Sequence, residues 1–292
     1  MSSETRPRAT APIYLHPRKS IRHLGLYVVL VIGGVASLLP FLTMIFISLK
    51  PLKGMFDGPM WLPPSNPTFA NYVSLFQGPT FIPAAFTTVV VLVSVTAGQV
   101  IFSTLAAYAF ARMHFRGRDV LFWAYLATLM IPSVVTMIPL FLVMKQLGWV
   151  NTLMGIAAPY IFGTPFGIFL ARQFFLGIPA ELEEAATLDG ANAWMIFWRI
   201  VLPISRPILV TLIIITSVQS WNNFLWPLII GGTPGTTVLT VAIANLSGQA
   251  NYTPVYGTIM AAAVCVTLPI LVVFIVFQRH FAETHSSSGV KG

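Results

Sequence analysis

Long apolar runs separated by short polar segments dominate the hydropathy pattern of the chain. Because an α-helix rises about 1.5 Å per residue, roughly 20 apolar residues are enough to cross the ~30 Å hydrocarbon core of a bilayer. Six runs reach that length, at residues 26–49, 82–110, 120–144, 152–177, 207–230 and 256–279. The pattern predicts an all-α membrane protein with six transmembrane helices in one membrane domain over 24–280.

Polar segments flank and connect these runs. Residues 1–23 and 281–292 lack apolar periodicity, and we expect them to form terminal tails. The first run is too long for a signal-peptide core and no small-residue cleavage site follows it, so we interpret it as a retained helix. The longest connections are predicted at 50–81, 178–206 and 231–255, the last as a loop rich in Gly, Thr, Asn and Ser.

Prolines lie well inside the third and fourth runs. Pro132 and Pro139 lie in the third run, and Pro159 and Pro165 lie in the fourth. Since proline lacks the backbone N–H that an interior helical residue donates, we expect these helices to be kinked.

The charge distribution fits a lipid environment and sets an orientation. Only 8% of the residues are charged, against about 25% in soluble domains. With the amino terminus inside, six spans leave Lys50, Lys53 and Lys145 outside and the other 13 of the 16 Lys and Arg residues inside. This positive-inside bias predicts that both termini are cytoplasmic, and it accounts for the net charge of +8 without a nucleic-acid partner.

Sequence motifs typical of nucleotide binding, catalysis and metal binding are missing from the chain. It contains neither GxxxxGK[ST] nor HExxH, and its five histidines fall outside the apolar runs. Cys265 is the only cysteine, so no thiol pair can hold a metal. We therefore predict no catalytic residue, no metal site and no enzymatic activity. The near absence of ionisable residues within the runs also argues against a proton- or sodium-coupled transporter.

The acidic residues are concentrated in one connection. Four of the eight, Glu181, Glu183, Glu184 and Asp189, fall within nine positions. Carboxylates favour the first turns of a helix, and a glycine often follows the last turn, so a short helix is predicted from Pro179 to just before Gly190.

One side of that short helix carries a leucine, two alanines and an aspartate, at positions spaced i, i+3, i+4 and i+7. They are Leu182, Ala185, Ala186 and Asp189. An acidic loop helix is usually a solvated surface, but an anionic leaflet would repel this one. We therefore expect the helix to face a soluble partner, with the alanines allowing close approach. Asn192 is expected to cap a second helix that ends at Pro203.

The fifth run carries an unusual polar cluster, "QSWNNFLWP", with Gln219, Trp221, Asn222 and Asn223. Amide groups beside aromatic rings suit sugar recognition along a transport pathway. The same groups also serve as hydrogen-bonding contacts between membrane helices, and the sequence leaves both interpretations open.

The acidic connection resembles a known family signature. "EAATLDGA" followed by "IVLPISRP" resembles the EAA motif of the membrane subunits of ATP-binding-cassette (ABC) importers. The matching positions are Glu184, Ala185, Ala186, Asp189, Gly190, Ala191, Pro203 and Pro207. "PTFANYVSLF", "WNNFLWPL" and "GVKG" are similar to the second permease subunit of maltose-type importers.

This resemblance implies a type I ABC importer permease fold in the bacterial inner membrane. It implies that the EAA loop at 178–206 couples the chain to two separate ATPase subunits, which bind ATP and magnesium, so that this chain holds no cofactor. The further implied partners are a second permease subunit, an extracytoplasmic solute-binding protein that docks on the outer loops, and a sugar substrate. From the residues alone, a stand-alone channel or secondary transporter and a membrane scaffold protein remain alternatives.

Overall fold

The computed structural model describes residues 17–53, 55–56, 58–249 and 255–286. Most of the predicted tails, 1–23 and 281–292, lies outside the described residues. The first seven α-helices are α1 Pro17–Ser48, α2 Ala70–Gln77, α3 Phe81–Arg112, α4 Arg118–Ala127, α5 Ser133–Gln146, α6 Leu153–Ile161 and α7 Pro165–Leu176. They are followed by α8 Ala180–Leu188, α9 Ala193–Ile196, α10 Leu202–Ile204, α11 Arg206–Trp221, α12 Leu225–Ile230, α13 Leu239–Gln249 and α14 Tyr256–Ser286.

The predicted all-helical membrane architecture is confirmed, whereas the count of six spans stays a prediction. Four helical segments are long and apolar enough to cross a membrane: Leu24–Ser48, Phe81–Arg112, Leu153–Leu176 and Tyr256–Val276. Two bent pairs raise the number to six if each pair is one span: Arg118–Met130 with Ser133–Gln146, and Ala193–Ile204 with Arg206–Trp221. Within the described residues the structure contains helices and turns but no strand.

The third predicted run is a sharply bent pair of helices and not a continuous span. The two halves meet at 104° around Pro132. Ile131 adopts an extended conformation, with φ −86° and ψ 117°, as expected for a residue whose α conformation is blocked by the following proline ring. Pro139 lies inside α5 and Pro159 inside α6, while Pro165 occupies the first turn of α7. The strongest predicted break is therefore the one at Pro132.

The connection predicted as a loop at 231–255 contains the helix α13. Its first residue, Leu239, donates its backbone N–H to Thr88 Oγ1 of α3 at 2.8 Å. Val241 and Ala242 are buried. The polar composition predicted a loop, but packing against α3 and α14 overrides that local preference.

Close helix packing joins α3 to the segments on either side of the break between α6 and α7. A Cβ added at Gly163 would lie 2.8 Å from the backbone nitrogen of Ser103. At Gly98 it would lie 2.6 Å from the carbonyl oxygen of Ile161. Small residues at such contacts let membrane helices approach closely, and here they fix α3 to both neighbours.

We expect Gly98→Ala to lower the thermal unfolding midpoint of the purified chain by several degrees. The new methyl group would meet the Ile161 carbonyl, which cannot rotate away, and overpacking of this kind costs about 1–3 kcal/mol. Gly34→Ala is the matched control, because Gly34 also lies inside a helix and has nothing within 4 Å of its Cβ position. Equal midpoints for the two variants would contradict the tight contact.

Candidate functional site

A cavity of about 470 Å³ lies among α3, α5, α6, α11 and the start of α12. Its polar lining consists of amides and hydroxyls: Gln99, Ser133, Tyr160, Thr164, Thr216, Gln219, Ser220, Asn222 and Asn223. Apolar residues, including Phe224, complete the walls. Among the described residues, no charged side chain lines this cavity. The arrangement suits an uncharged ligand that carries several hydrogen-bonding groups.

The cavity receives polar groups from a break in the fifth predicted run. α11 ends at Trp221 and α12 begins at Leu225, so the run 207–230 is not one continuous helix. The Asn222 amide donates to the Val218 carbonyl oxygen at 2.8 Å, and Thr240 Oγ1 donates to the Asn223 carbonyl oxygen at 2.8 Å. Irregular backbone at membrane depth is tolerated where it borders a cavity and its polar groups find partners.

Three of the four predicted pathway residues line the cavity, and the fourth does not. Gln219, Asn222 and Asn223 belong to the lining. Trp221 packs toward α14, where its indole Nε1 donates to the Val266 carbonyl oxygen at 3.1 Å. The reason is geometric, because consecutive helical residues point about 100° apart. A transport role for the three lining residues stays a prediction.

Other helices contribute polar groups to the cavity that were not predicted from the sequence, Gln99 and Tyr160 among them. Gln99 on α3 is buried and accepts a hydrogen bond from Thr216 Oγ1 at 3.2 Å. Tyr160 on α6 lines the same cavity as Asn223. Gln99 could have been selected from the sequence as a pathway residue. It is the only amide side chain in the run 82–110, and polar residues at membrane depth often mark a pathway.

The acidic connection folds into the short helix α8, and its end follows the prediction closely. Gly190 has φ +85°, a left-handed conformation that glycine adopts without strain. The Ala191 N–H bonds to the Ala186 carbonyl at 2.9 Å, and the Gly190 N–H bonds to the Thr187 carbonyl at 3.0 Å. This pair of bonds is the Schellman motif. At the other end Pro179 is the cap residue and not the first helical residue.

The residues of the EAA segment point in different directions. Glu184, Ala185 and Asp189 are exposed, and the neighbouring Leu188 is 90% exposed. Ala186 and Ala191 instead pack against a buried cluster of this chain that includes Phe122, Phe175, Phe197 and Val201. The residues that sequence spacing predicted to share one face of the helix therefore do not face the same way: Ala185 faces outward and Ala186 faces the core. The coupling role of these residues stays a prediction.

A charged contact that the sequence analysis did not foresee ties α8 to the rest of the chain. Arg112 Nε lies 3.0 Å from Glu183 Oε1. The two residues are far apart in sequence, and Glu183 differs from Glu184 only by its position on the helix. No local pattern could therefore have separated the paired carboxylate from the exposed one.

The second loop helix begins as predicted but continues past its predicted end. Asn192 Oδ1 accepts the Met195 N–H at 2.9 Å, which is the expected cap. Residues Phe197–Val201 form a π-helix, and the helical path continues through Pro203 to Ile204. The prediction that Pro203 ends this helix was wrong. Proline cannot donate the normal bond to the residue four positions earlier, and the wider π turn accommodates that loss.

Within the described part of the chain, no group of three or more His, Cys, Asp and Glu side chains is placed to hold a metal ion. The geometry of the chain thus offers a neutral cavity and an exposed acidic loop.

Several known proteins are similar to this chain. The trehalose transport system permease protein SugB of Mycobacterium tuberculosis is 36% identical over 257 residues, covering 88% of this chain and 93% of that protein. The arabinooligosaccharides transport system permease protein AraQ of Halalkalibacterium halodurans is 34% identical, covering 88% and 92% respectively. A chain from the crystal structure of a bacterial ABC transporter involved in the import of alginate, an acidic polysaccharide, matches with a TM-score of 0.82 at 25% identity, covering 93% of this chain and all of that one.

A family model matches over residues 99–284, which is more than half of the chain and includes the exposed acidic loop. The matched region also contains the break at Asn222 and Asn223 and every polar residue of the cavity lining. The chain belongs to the family described as binding-protein-dependent transport system inner membrane components.

Proposed function

We propose that this chain is the transmembrane permease subunit of an ATP-driven importer for an uncharged sugar or oligosaccharide. The observation that carries the proposal is the 470 Å³ cavity, whose polar lining is made of amides and hydroxyls without a charged side chain among the described residues. Two of the relatives are named as permeases of trehalose and arabinooligosaccharide transport systems, and this supports the sugar class.

The chemistry of the cavity favours a neutral saccharide. An amide group both donates and accepts hydrogen bonds, and so does a hydroxyl, which matches the dual character of sugar hydroxyls. Gln99, Gln219 and Asn223 supply amides, while Tyr160 and Phe224 supply rings. An anionic ligand would enter without a counter-charge, and burying an unpaired charge is strongly unfavourable.

The acidic loop is the proposed contact with the ATPase subunits. Glu184 in the middle of α8 and Asp189 at its end are exposed, while Ala186 packs the same helix against the chain's own core. We infer that two separate ATPases bind ATP and magnesium, that a second permease subunit completes the membrane assembly, and that closure of the ATPases switches the cavity between inward-facing and outward-facing states. Moving such an equilibrium from 1:99 to 99:1 takes about 5.5 kcal/mol of differential binding.

The outer connections are the proposed docking surface for an extracytoplasmic solute-binding protein. They contain α2 in the segment 50–81 and α13 in the segment 231–255. Both helices pack against α14 and α3, so the docking surface is continuous with the walls of the membrane domain. With these connections outside, we infer that both chain termini lie on the cytoplasmic side.

The decisive experiment is uptake by the purified complex in proteoliposomes. The permease is co-expressed with a candidate ATPase and a candidate second permease from the same organism. Vesicles with internal ATP then receive a candidate binding protein and labelled trehalose, arabinooligosaccharide or glycerol 3-phosphate. We expect ATP-dependent accumulation of at least one neutral sugar and none of the anion. Sugar accumulation that follows a proton gradient without ATP would indicate a secondary transporter, and failure to co-purify with an ATPase would favour a scaffold.

A further inference from the structure

The last residue of α3, Arg112, joins three structural elements. Its guanidinium donates to the carbonyl oxygen of Phe175 near the end of α7, at 2.6 Å, and to that of Ile178 in the following turn. Its Nε faces Glu183 of α8 at 3.0 Å. One side chain thus holds the end of α7, the turn after it and the acidic helix at a single point.

The ion pair between Arg112 and Glu183 is largely removed from solvent. Their side chains are 15% and 16% exposed, and neither Arg112 Nε nor Glu183 Oε1 has a hydrogen-bond partner among the described residues beyond the ion pair they form. Removing one member of such a pair leaves the other charge buried and unpaired, which is strongly unfavourable. The adjacent Glu184 is exposed. Of these two neighbouring carboxylates, only that of Glu183 forms an ion pair within this chain.

A second arginine also joins α3 and α7, but here the arginine belongs to α7 and the acceptor to α3. Arg172 of α7 donates from Nε to the Phe110 carbonyl oxygen of α3 at 3.2 Å. Its guanidinium carbon also lies 4.1 Å from the ring centre of Phe122 on α4, within the range of a cation–π contact. Each of α3 and α7 therefore donates an arginine to a carbonyl of the other, which resists sliding between them.

The helix held at Arg112 is also a wall of the cavity. Val91, Val95 and Gln99 of α3 line it, and Gln99 lies about 20 Å along the helix axis from Arg112 at 1.5 Å per residue. Between these points Ser103 packs against Gly163 and Gly167. A displacement of α3 at Arg112 is therefore transmitted along the helix to Gln99, Val95 and Val91, which border the cavity.

We propose that Arg112 and Glu183 are positioning residues that clamp α8 to α3, so that movement of the acidic loop is carried into the cavity wall. This inference rests on the proposed function, in which α8 receives the movement from an ATPase. Glu183 holds the helix to the permease, and the exposed Glu184 remains available to the partner. Loss of the clamp lets α8 move without α3.

The test compares Glu183→Gln with Glu181→Gln in the reconstituted complex. Both variants remove one carboxylate from the first turns of α8, but only Glu183 faces Arg112. We expect Glu183→Gln to raise the ATP hydrolysed per sugar imported about tenfold, within the range of known coupling effects, and Glu181→Gln to leave it unchanged. An unchanged ratio in Glu183→Gln, or a parallel fall of uptake and hydrolysis, would overturn the proposal.

A second measurement does not depend on transport. Amide hydrogen exchange over residues 180–188 of the complex without nucleotide should be faster in Glu183→Gln than in the wild type and in Glu181→Gln, because local opening is easier without the clamp. Equal exchange in both variants would contradict the clamp even if the wild type imports sugar. Faster exchange combined with no ATP-driven uptake by the wild type would instead leave the clamp standing and refute the proposed function.

Discussion

Replacing Glu184 with arginine should abolish ATP-driven uptake while the chain remains in the membrane. Glu184 is exposed, so its substitution disturbs no buried contact of this chain. A charge-assisted hydrogen bond contributes about 1.5–3 kcal/mol, and reversal of the charge replaces attraction by repulsion. Since 1.4 kcal/mol corresponds to a factor of ten, we expect affinity for the ATPase subunit to fall at least tenfold.

The measurement combines membrane content, ATPase co-purification and sugar uptake. Glu181→Arg is the matched control, since it makes the same charge change in the same helix. Normal membrane content with lost uptake in Glu184→Arg alone supports the proposed coupling contact. Unchanged transport in Glu184→Arg would refute the assignment of this residue to the coupling surface.

Gly190→Arg should also reduce ATP-driven uptake, for a different physical reason. The φ of +85° at Gly190 is strained for any residue with a side chain, although no atom lies within 4 Å of the Cβ position. The strain would disrupt the two Schellman bonds that direct the chain from α8 into the next helix. Uptake should fall while membrane content is maintained, and full transport by this variant would contradict the required turn.

The helical membrane architecture was predictable because bilayer thickness sets the length of an apolar run. The positions of breaks were partly predictable as well, since Pro132 and Gly190 act on their own backbone. The 104° bend at Pro132 was not predictable, because proline removes a hydrogen bond without setting the direction in which the chain continues. Packing of the surrounding helices sets that direction.

In the candidate site, too, the local sequence determines some features, while residues distant in sequence determine others. Helical spacing separates Trp221 from Asn222, but it does not say which of the two faces the cavity. That depends on α3 and α6, which supply Gln99 and Tyr160 from distant parts of the sequence. Likewise the exposed Glu184 and the paired Glu183 are equivalent in composition, and only the position of Arg112 makes them different.

Asn222→Leu should lower sugar uptake about tenfold while the complex assembles normally. Leucine has a similar size but cannot hydrogen-bond, so the cavity loses one polar group that faces the proposed substrate. The loss of a single hydrogen bond changes binding by about 0.5–1.5 kcal/mol, and a polar partner left unpaired increases the effect. Uptake should therefore decrease through a higher KM for transport, and membrane content should stay at the wild-type level.

Ser94→Leu is the control, since Ser94 lies on the cavity-lining helix α3 but its side chain bonds back to the Val90 carbonyl and is not among the lining residues. The alternative role for Asn222, a hydrogen-bonded contact between helices, predicts poor assembly instead of poor uptake. The only side-chain hydrogen bond of Asn222 within the described residues runs to Val218 of α11, the helix it directly follows, and not to another helix, which favours the cavity role. Normal uptake by Asn222→Leu would remove this residue from the pathway, and a loss of assembled complex would assign it to helix packing.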